Sequence, residues 1–279
     1  MRSIFADLHT HTHFSDGLYS PTVLLEKAAD RGIQVLAVTD HDTIAGLDEA
    51  ASAAKHTSID LIPGVELTVS VSDDVVHLLG YGFDPSNPAL VAYLDGFREG
   101  RRDRMTAMVD RLTSMGVDVT MDQVEAEAEP AASLGRPHLA RVLVENGDVS
   151  DINAAFDRFL GNEAPAYVPA PGPSAGEAID VVHQAGGIVS IAHPGQWMPG
   201  HILRDLRRAG VDAIECVSPS HPDYLVDYYR TKVRTSELMM TGGSDYHGGS
   251  ERHEENLGRL GLSRREWKML SAHLARQTS

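Results

Sequence analysis

Eleven side chains that can bind a metal fall in short clusters along the chain: Asp7, His9, His11 and Asp16; Asp40 and His41; Glu66; His77; His193; Asp245 and His247. Imidazole and carboxylate donors of this kind suit zinc, manganese, iron or nickel. His9 and His11 are two residues apart, so on an extended strand both project to one side and can share an ion. Glu66 and Asp245 can bridge or cap neighbouring ions. Soft ligands are absent, because the single cysteine, Cys216, excludes both a thiolate cluster and an internal disulfide. A histidine on its own is more often a core residue, and His56, His183, His201 and His273 are read that way. A lone aspartate at a strand end is often a helix cap. Asp7 and Asp42 are read either as caps or as partners that fix a ligand imidazole, and Asp7 and Asp40 are placed behind the ligands.

These clusters sit where strands end. Apolar runs at 4–8, 35–39, 61–67, 75–82, 188–192, 213–217 and 238–241 read as strands. Helical patterns separate most of them, at about 21–30, 45–55, 174–184, 202–209, 223–234 and 264–275. Strands alternating with helices imply a parallel sheet, and about seven such units imply a closed or nearly closed barrel. Strand C-termini then share one face, where active sites of such barrels lie. Between residues 84 and 164 no strand is evident. Leu90–Met115 is one long charged amphipathic pattern, followed by shorter helical patterns at 121–129, 137–145 and 151–160. The expected organisation is therefore a barrel from residues 1–83 and 165–279, with a helical insert at 84–164 capping the pocket.

The chain has 279 residues, 42% of them hydrophobic, and a formal charge of −16 from 40 acids and 24 bases. That balance excludes backbone-driven binding to duplex DNA, which needs many basic contacts. No apolar stretch reaches the roughly 20 residues of a membrane span, and the first residues lack a signal-peptide pattern. A cytoplasmic protein is expected, with no feature that calls for an obligate protein partner.

In order, Asp7-Leu8-His9-Thr10-His11, Ser15-Asp16-Gly17, Thr39-Asp40-His41-Asp42, Gly64-Val65-Glu66, His77, Ala192-His193-Pro194 and Gly243-Ser244-Asp245-Tyr246-His247 resemble the motif series of the PHP (polymerase and histidinol phosphatase) family. The motifs cover residues 5 to 247. His13 is the one departure, a third histidine where no ligand is expected. The resemblance implies a metal-dependent phosphoesterase on a distorted seven-stranded (β/α) barrel with two to three divalent ions, manganese first and iron or zinc as alternatives. It implies that His9, His11, Glu66 and Asp245 hold one ion. Glu66, bridging, holds a second with His77 and His193, and Asp16, His41 and His247 hold a third. Such ions lower the pKa of water and neutralise charge on phosphoryl oxygens. His221, after the strand at 213–217, is the candidate acid for the leaving alkoxide; a water molecule in the site is the alternative.

The insert bears on the substrate. Arg98, Arg101 and Arg102 are spaced to share one helix face, and Arg136 and His138 flank a proline at a helix start, where backbone N–H groups favour anions. Arginine binds phosphate through a planar fork. Glu99 and Asp103 interleave, so a solvated charged helix is the plain alternative. The insert, with Arg98–Arg101 and the Arg136–Arg141 run, is similar to the PHP subgroup that removes the 3′-phosphate of nucleoside 3′,5′-bisphosphates, with relatives that trim short RNA from its 5′ end. In that subgroup Thr is usual where Pro137 stands. The resemblance implies that these arginines and His138 hold the 5′-phosphate of a nucleotide or short RNA. Alternatives are a histidinol-phosphate phosphatase, a polymerase-associated nuclease domain, an amidohydrolase and a non-catalytic metal-binding regulatory module.

Overall fold

The computed structural model describes residues 4–72, 74–128, 133–169, 172–196 and 198–277. Strands β1 (Ala6–Asp7), β2 (Val35–Val38), β3 (Asp60–Val71), β4 (Asp74–Tyr81), β5 (Ile188–Ile191), β6 (Ala213–Val217) and β7 (Met239–Gly242) form one sheet in sequence order. Its two edges meet beyond the ladders: Leu8 N donates to Gly242 O at 3.2 Å, and Thr10 bridges Tyr246 in parallel. The result is a nearly closed, distorted α/β barrel.

One expectation needs correcting. The sheet is not all parallel, because β4 runs antiparallel to both β3 and β5. Val71 pairs with Asp74, so only two residues join β3 to β4, and Ser72 turns with φ 55°. A connection that short permits a hairpin only; a parallel crossover needs a dozen or more residues. The reversal has a functional consequence. It brings the N-terminal half of β4, with His77, to the face where the parallel strands have their C-termini.

Side chains alternate across the strands. Val35, Ala37, Leu79, Tyr81 and Ile188 join Ala6 and Leu8 in a core inside the barrel, where the Tyr81 hydroxyl donates to Leu8 O at 2.8 Å. Leu36, Val65, Leu67, Ile214 and Cys216 point outward into the core beneath the helices. Helices α1 (Pro21–Asp30) and α2 (Leu47–Ala54) follow β1 and β2. Ser20 caps α1 through Val23 N, with Pro21 at its first position.

The insert comprises α3 (Pro88–Ser114), α4 (Met121–Ala126), α5 (Arg136–Glu145), α6 (Ile152–Ala155) and a π-helical turn at Phe156–Leu160. Helix α3 joins two cores. Leu90 and Leu94 pack with the barrel. Met105, Met108 and Leu112 pack with Leu139, Leu143 and Leu160 of the insert. The barrel resumes with α7 (Ala175–Gln184), α8 (Gly200–Arg208), α9 (Asp223–Arg234), α10 (Glu251–Asn256) and α11 (Arg264–Gln277). Helix α10 has no sequence signature, since its six residues carry no apolar period. No helix among the described residues is long and apolar enough to cross a membrane.

Candidate active site

A polar layer lies on the apolar interior of the barrel, and Glu66 is its hub. Residue 66 alternates with the outward Val65 and Leu67, so its carboxylate points inward, where it is 1% exposed. Oε1 is 2.9 Å from His77 Nδ1 and 3.0 Å from His193 Nε2. Oε2 is 3.0 Å from His9 Nε2, 3.2 Å from His11 Nε2 and 3.5 Å from His41 Nδ1. Asp245 Oδ1 lies 3.4 Å from both His9 Nε2 and His11 Nε2. Asp16 Oδ1 lies 3.2 Å from His247 Nε2. Four sets of donors are each close enough to surround one ion: His11, Asp16, His41 and His247; His9, Glu66 and His193; His9, His11 and Asp245; and His41, Glu66 and His77.

The arrangement fits ions better than protons. Both His11 ring nitrogens and His41 Nδ1 are buried without a hydrogen bond. They lie near carboxylates but are not aligned with them as donors. Unpaired polar atoms in such a place cost about 1–3 kcal/mol each, and a lone pair aimed at a cation removes that cost. Burial opposes ionisation of Glu66, yet His41, His9 and His77 around it hold its carboxyl well below the ordinary range. Burial also favours neutral His193 and His247, but Glu66 pushes the former up to about 9 and Asp16 the latter up to about 10. Backbone geometry is unusual at the same points: His193 and Asp245 have φ of 21° and 49°, values that persist only where surroundings impose them.

Glu215 supplies part of that imposition. It is fully buried in β6, between the outward Ile214 and Cys216, and points into the barrel. Its Oε1 accepts from His9 Nδ1 at 3.1 Å and its Oε2 from the His193 backbone N–H at 2.6 Å. The His9 bond leaves Nε2 as the atom facing Glu66 and Asp245. The other aspartates tie loops together. Asp7 accepts from Ser244 N and His9 N, and burial pushes it up to about 7. Asp40 accepts from Thr12 N, Thr12 Oγ1 and Ser15 Oγ, which fixes the loop carrying Asp16.

Beside this cluster opens a cavity of about 360 Å³ whose lining includes Asp16, His41 and His77 on one side and Arg101, Arg104 and Arg136 on the other. Arg101 is anchored by Asp42 Oδ2 at 2.6 Å, Thr68 Oγ1 at 3.0 Å and Leu134 O at 3.2 Å. Arg136 donates to Leu160 O and Asn162 Oδ1 and lies over the rings of Phe156 and Tyr167. Burial, with the charges of Arg136 and Arg101, pushes Arg104 down to about 10. Among the described residues no carboxylate pairs with Arg104 or Arg136, so two guanidinium groups without an acidic partner line the cavity and suit an anion.

The PHP domain pattern matches residues 7–146. A 3′,5′-nucleoside bisphosphate phosphatase of Chromobacterium violaceum is 36% identical over 282 residues, covering 97% of this chain and 98% of the relative. The chain belongs to the PHP family. A 5′-3′ exoribonuclease of Haemophilus influenzae is 36% identical over 247 residues, covering 86% of this chain and 89% of its own. A structure described as a candidate metal-dependent phosphoesterase from Bifidobacterium adolescentis superimposes with a TM-score of 0.88 at 33% identity, covering 95% of each chain.

Several expected side chains take other places in this PHP chain. Arg98 and Arg102 are 54% and 62% exposed and pair with Asp95 and Glu125. The face of α3 that meets the cavity carries Arg101 and Arg104, and positions 98 and 102 are rotated off it. His138 is buried, and its Nδ1 accepts from Gly135 N at 3.1 Å to cap α5. Burial, then Arg141, pushes it down to about 4, so it offers no cation to a phosphate. His221 is not placed as an acid. Its Nδ1 contacts Cys216 O at 3.0 Å and its Nε2 accepts from Gly195 N at 3.0 Å, leaving no proton for a substrate. Asp42 fixes Arg101 and Thr68 N, not an imidazole. His13 is half-buried against Phe14. Glu215, Arg104 and His253, whose Nδ1 accepts from His247 N at 2.9 Å, are contributors the sequence reading missed. An acid inside an otherwise apolar strand was the available signal for Glu215.

Proposed function

We propose that this chain removes the 3′-phosphate from nucleoside 3′,5′-bisphosphates, such as phosphoadenosine phosphate, to give nucleoside 5′-monophosphates, and that it trims short RNA from the 5′ end. The observation that carries the reading is the shared wall: Asp16, His41 and His77 belong both to the metal-binding cluster and to the arginine cavity. A molecule with two phosphates one ribose apart spans such a pair of sites. In this reading His9, His11, Glu66 and Asp245 hold one divalent ion. Glu66, His77 and His193 hold a second, and Asp16, His41 and His247 a third, with manganese the first choice. The ions supply an activated water and neutralise charge developing on the phosphoryl oxygens.

The protein's own groups do the positioning. Arg101, already held by Asp42, Thr68 and Leu134 O, needs little further ordering to meet an anion. Arg104 and Arg136 add charge-assisted bonds to the 5′-phosphate. Glu215 keeps His9 and the His193 backbone in place. A cationic substrate such as histidinol phosphate would set its ammonium against three guanidinium groups. The single, fully buried Cys216 suits work in the reducing cytoplasm.

The test is phosphate release with manganese from adenosine 3′,5′-bisphosphate, 3′-AMP, 5′-AMP and histidinol phosphate side by side. Strong preference for the bisphosphate is expected. Equal rates, or preference for histidinol phosphate, would remove the substrate assignment, and no release from metal-loaded protein would remove the 3′-phosphatase.

A further inference from the structure

His77 stands between two cavities. One is the arginine cavity. The other, of about 430 Å³, lies beyond the His77–His193 pair, whose ring nitrogens are 3.4 Å apart. Its volume is within the range of small-molecule sites, ~300–1,000 Å³, and its chemistry is the opposite of its neighbour's. Among the described residues that line it there is no arginine or lysine, and beyond the two histidines its only formal charge is Asp74. Val75, Pro194, Met198 and Ile202 give apolar walls, and Gln196 offers an exposed amide. A second phosphate would find no partner there. A neutral heterocycle would find apolar surface to bury against and an amide for its edge.

The cavity is also braced. Gly195 in its wall is held on both sides: its N–H donates to His221 Nε2 at 3.0 Å and its carbonyl accepts from the Tyr229 hydroxyl at 2.6 Å. The His221 and Tyr229 rings stack at 5.0 Å. Two buried side chains from the β6–α9 region thus hold the loop that runs from His193 into the cavity wall.

We propose that this second cavity binds the nucleoside that follows the scissile phosphate, so that a 5′-phosphorylated oligoribonucleotide spans the site with its first nucleotide toward the arginines and its second beyond His77 and His193. The assignment rests on the reading of the site as a 3′-phosphoesterase. In a bisphosphate the far side of the 3′-phosphoryl group carries only oxygen atoms, and the second cavity stays unused. In RNA one of those oxygens is O5′ of the next nucleoside. Water forms a bond to phosphorus, the P–O3′ bond breaks, and the proton released by water ends on O3′. The products are a 5′-mononucleotide and a chain whose new first residue carries the 5′-phosphate, which is the group the arginine cavity accepts in the next round.

The experiment compares manganese-loaded protein on adenosine 3′,5′-bisphosphate, on the 5′-phosphorylated dinucleotide pApA, and on the same dinucleotide with an abasic second residue. Binding of an uncleavable pApA, with P–CH2 in place of P–O3′, is measured by calorimetry in parallel. Burying about 60 Å² of one base against these apolar walls gives roughly 10-fold in binding. The abasic dinucleotide should therefore show a KM raised by about that factor with kcat little changed. Gln196→Trp, which crowds the cavity, should lower the ratio of kcat/KM for pApA over bisphosphate by a similar factor. Bisphosphate turnover without binding or cleavage of pApA would overturn this assignment and leave the 3′-phosphatase standing. Equal kinetics for the abasic and intact dinucleotides would overturn it as well. Failure on the bisphosphate itself would remove the reading on which it rests.

Discussion

Replacing Glu215 by glutamine changes one charge and almost no volume in a fully buried position. The carboxylate makes two contacts that matter, to His9 Nδ1 at 3.1 Å and to the His193 N–H at 2.6 Å. Glutamine can keep one of them through its carbonyl oxygen; its amide nitrogen then meets a second donor. A hydrogen bond to a charged group is worth about 1.5–3 kcal/mol, against about 0.5–1.5 for a neutral one. The difference, about 1–2 kcal/mol, falls on the His9 ring and the His193 backbone, and the side chains of these two residues reach opposite oxygens of Glu66. Loss of a carboxylate behind a ligand histidine costs about 10–100-fold in metal affinity or activity, which is the same size by an independent route. Glu215→Gln should therefore bind manganese roughly 10–100-fold more weakly in chelator competition, with a melting temperature of the metal-free protein close to wild type. Affinity within twofold of wild type would refute the claim that Glu215 orients His9 and His193.

Metal affinity should rise with pH. His193 and His247 are pushed up to about 9 and about 10, so both carry protons at neutral pH and must lose them to coordinate. Calorimetry in buffers of different ionisation heat should show proton release on manganese binding at pH ~7 that declines above pH ~10; release of no protons would contradict the arrangement. Arg104→Ala should lower kcat/KM for the bisphosphate by about 10–100-fold, from the loss of a charge-assisted bond, and leave 3′-AMP hydrolysis nearly unchanged in steady-state assays. Gly243→Ala should lower both the melting temperature and metal affinity, because a β-carbon there would lie 2.4 Å from His9 Cβ and 2.5 Å from His9 N; a variant that melts like wild type would show that the turn before Asp245 yields.

The strand and helix alternation was legible because apolar runs of four to eight residues are bounded by glycine and polar turns. The same is true of the clusters around Asp7, Asp40 and Asp245, whose residues are adjacent in sequence. The reversal of β4 was legible in principle, since no helical pattern fits between the β3 and β4 runs, but strand identity says nothing of direction. Helical spacing alone could not choose between Arg102 and Arg104. The choice depends on which face of α3 turns to the barrel, and that is set by Leu90 and Leu94 packing at its start. Side-chain roles were the least legible. His138 and His221 are histidines near the site, yet Gly135 takes Nδ1 of the first, and Gly195 and Cys216 take both ring nitrogens of the second; those partners come from the folded backbone.

The most direct measurement is phosphorus NMR of a nucleoside 3′,5′-bisphosphate incubated with the manganese-loaded protein. The 3′-phosphate signal should disappear while the 5′-phosphate signal persists, with inorganic phosphate and the 5′-monophosphate as the only products. Accumulation of the 3′-monophosphate, or no change despite bound metal, would contradict the pairing of a metal centre at the 3′ side with an arginine cavity at the 5′ side.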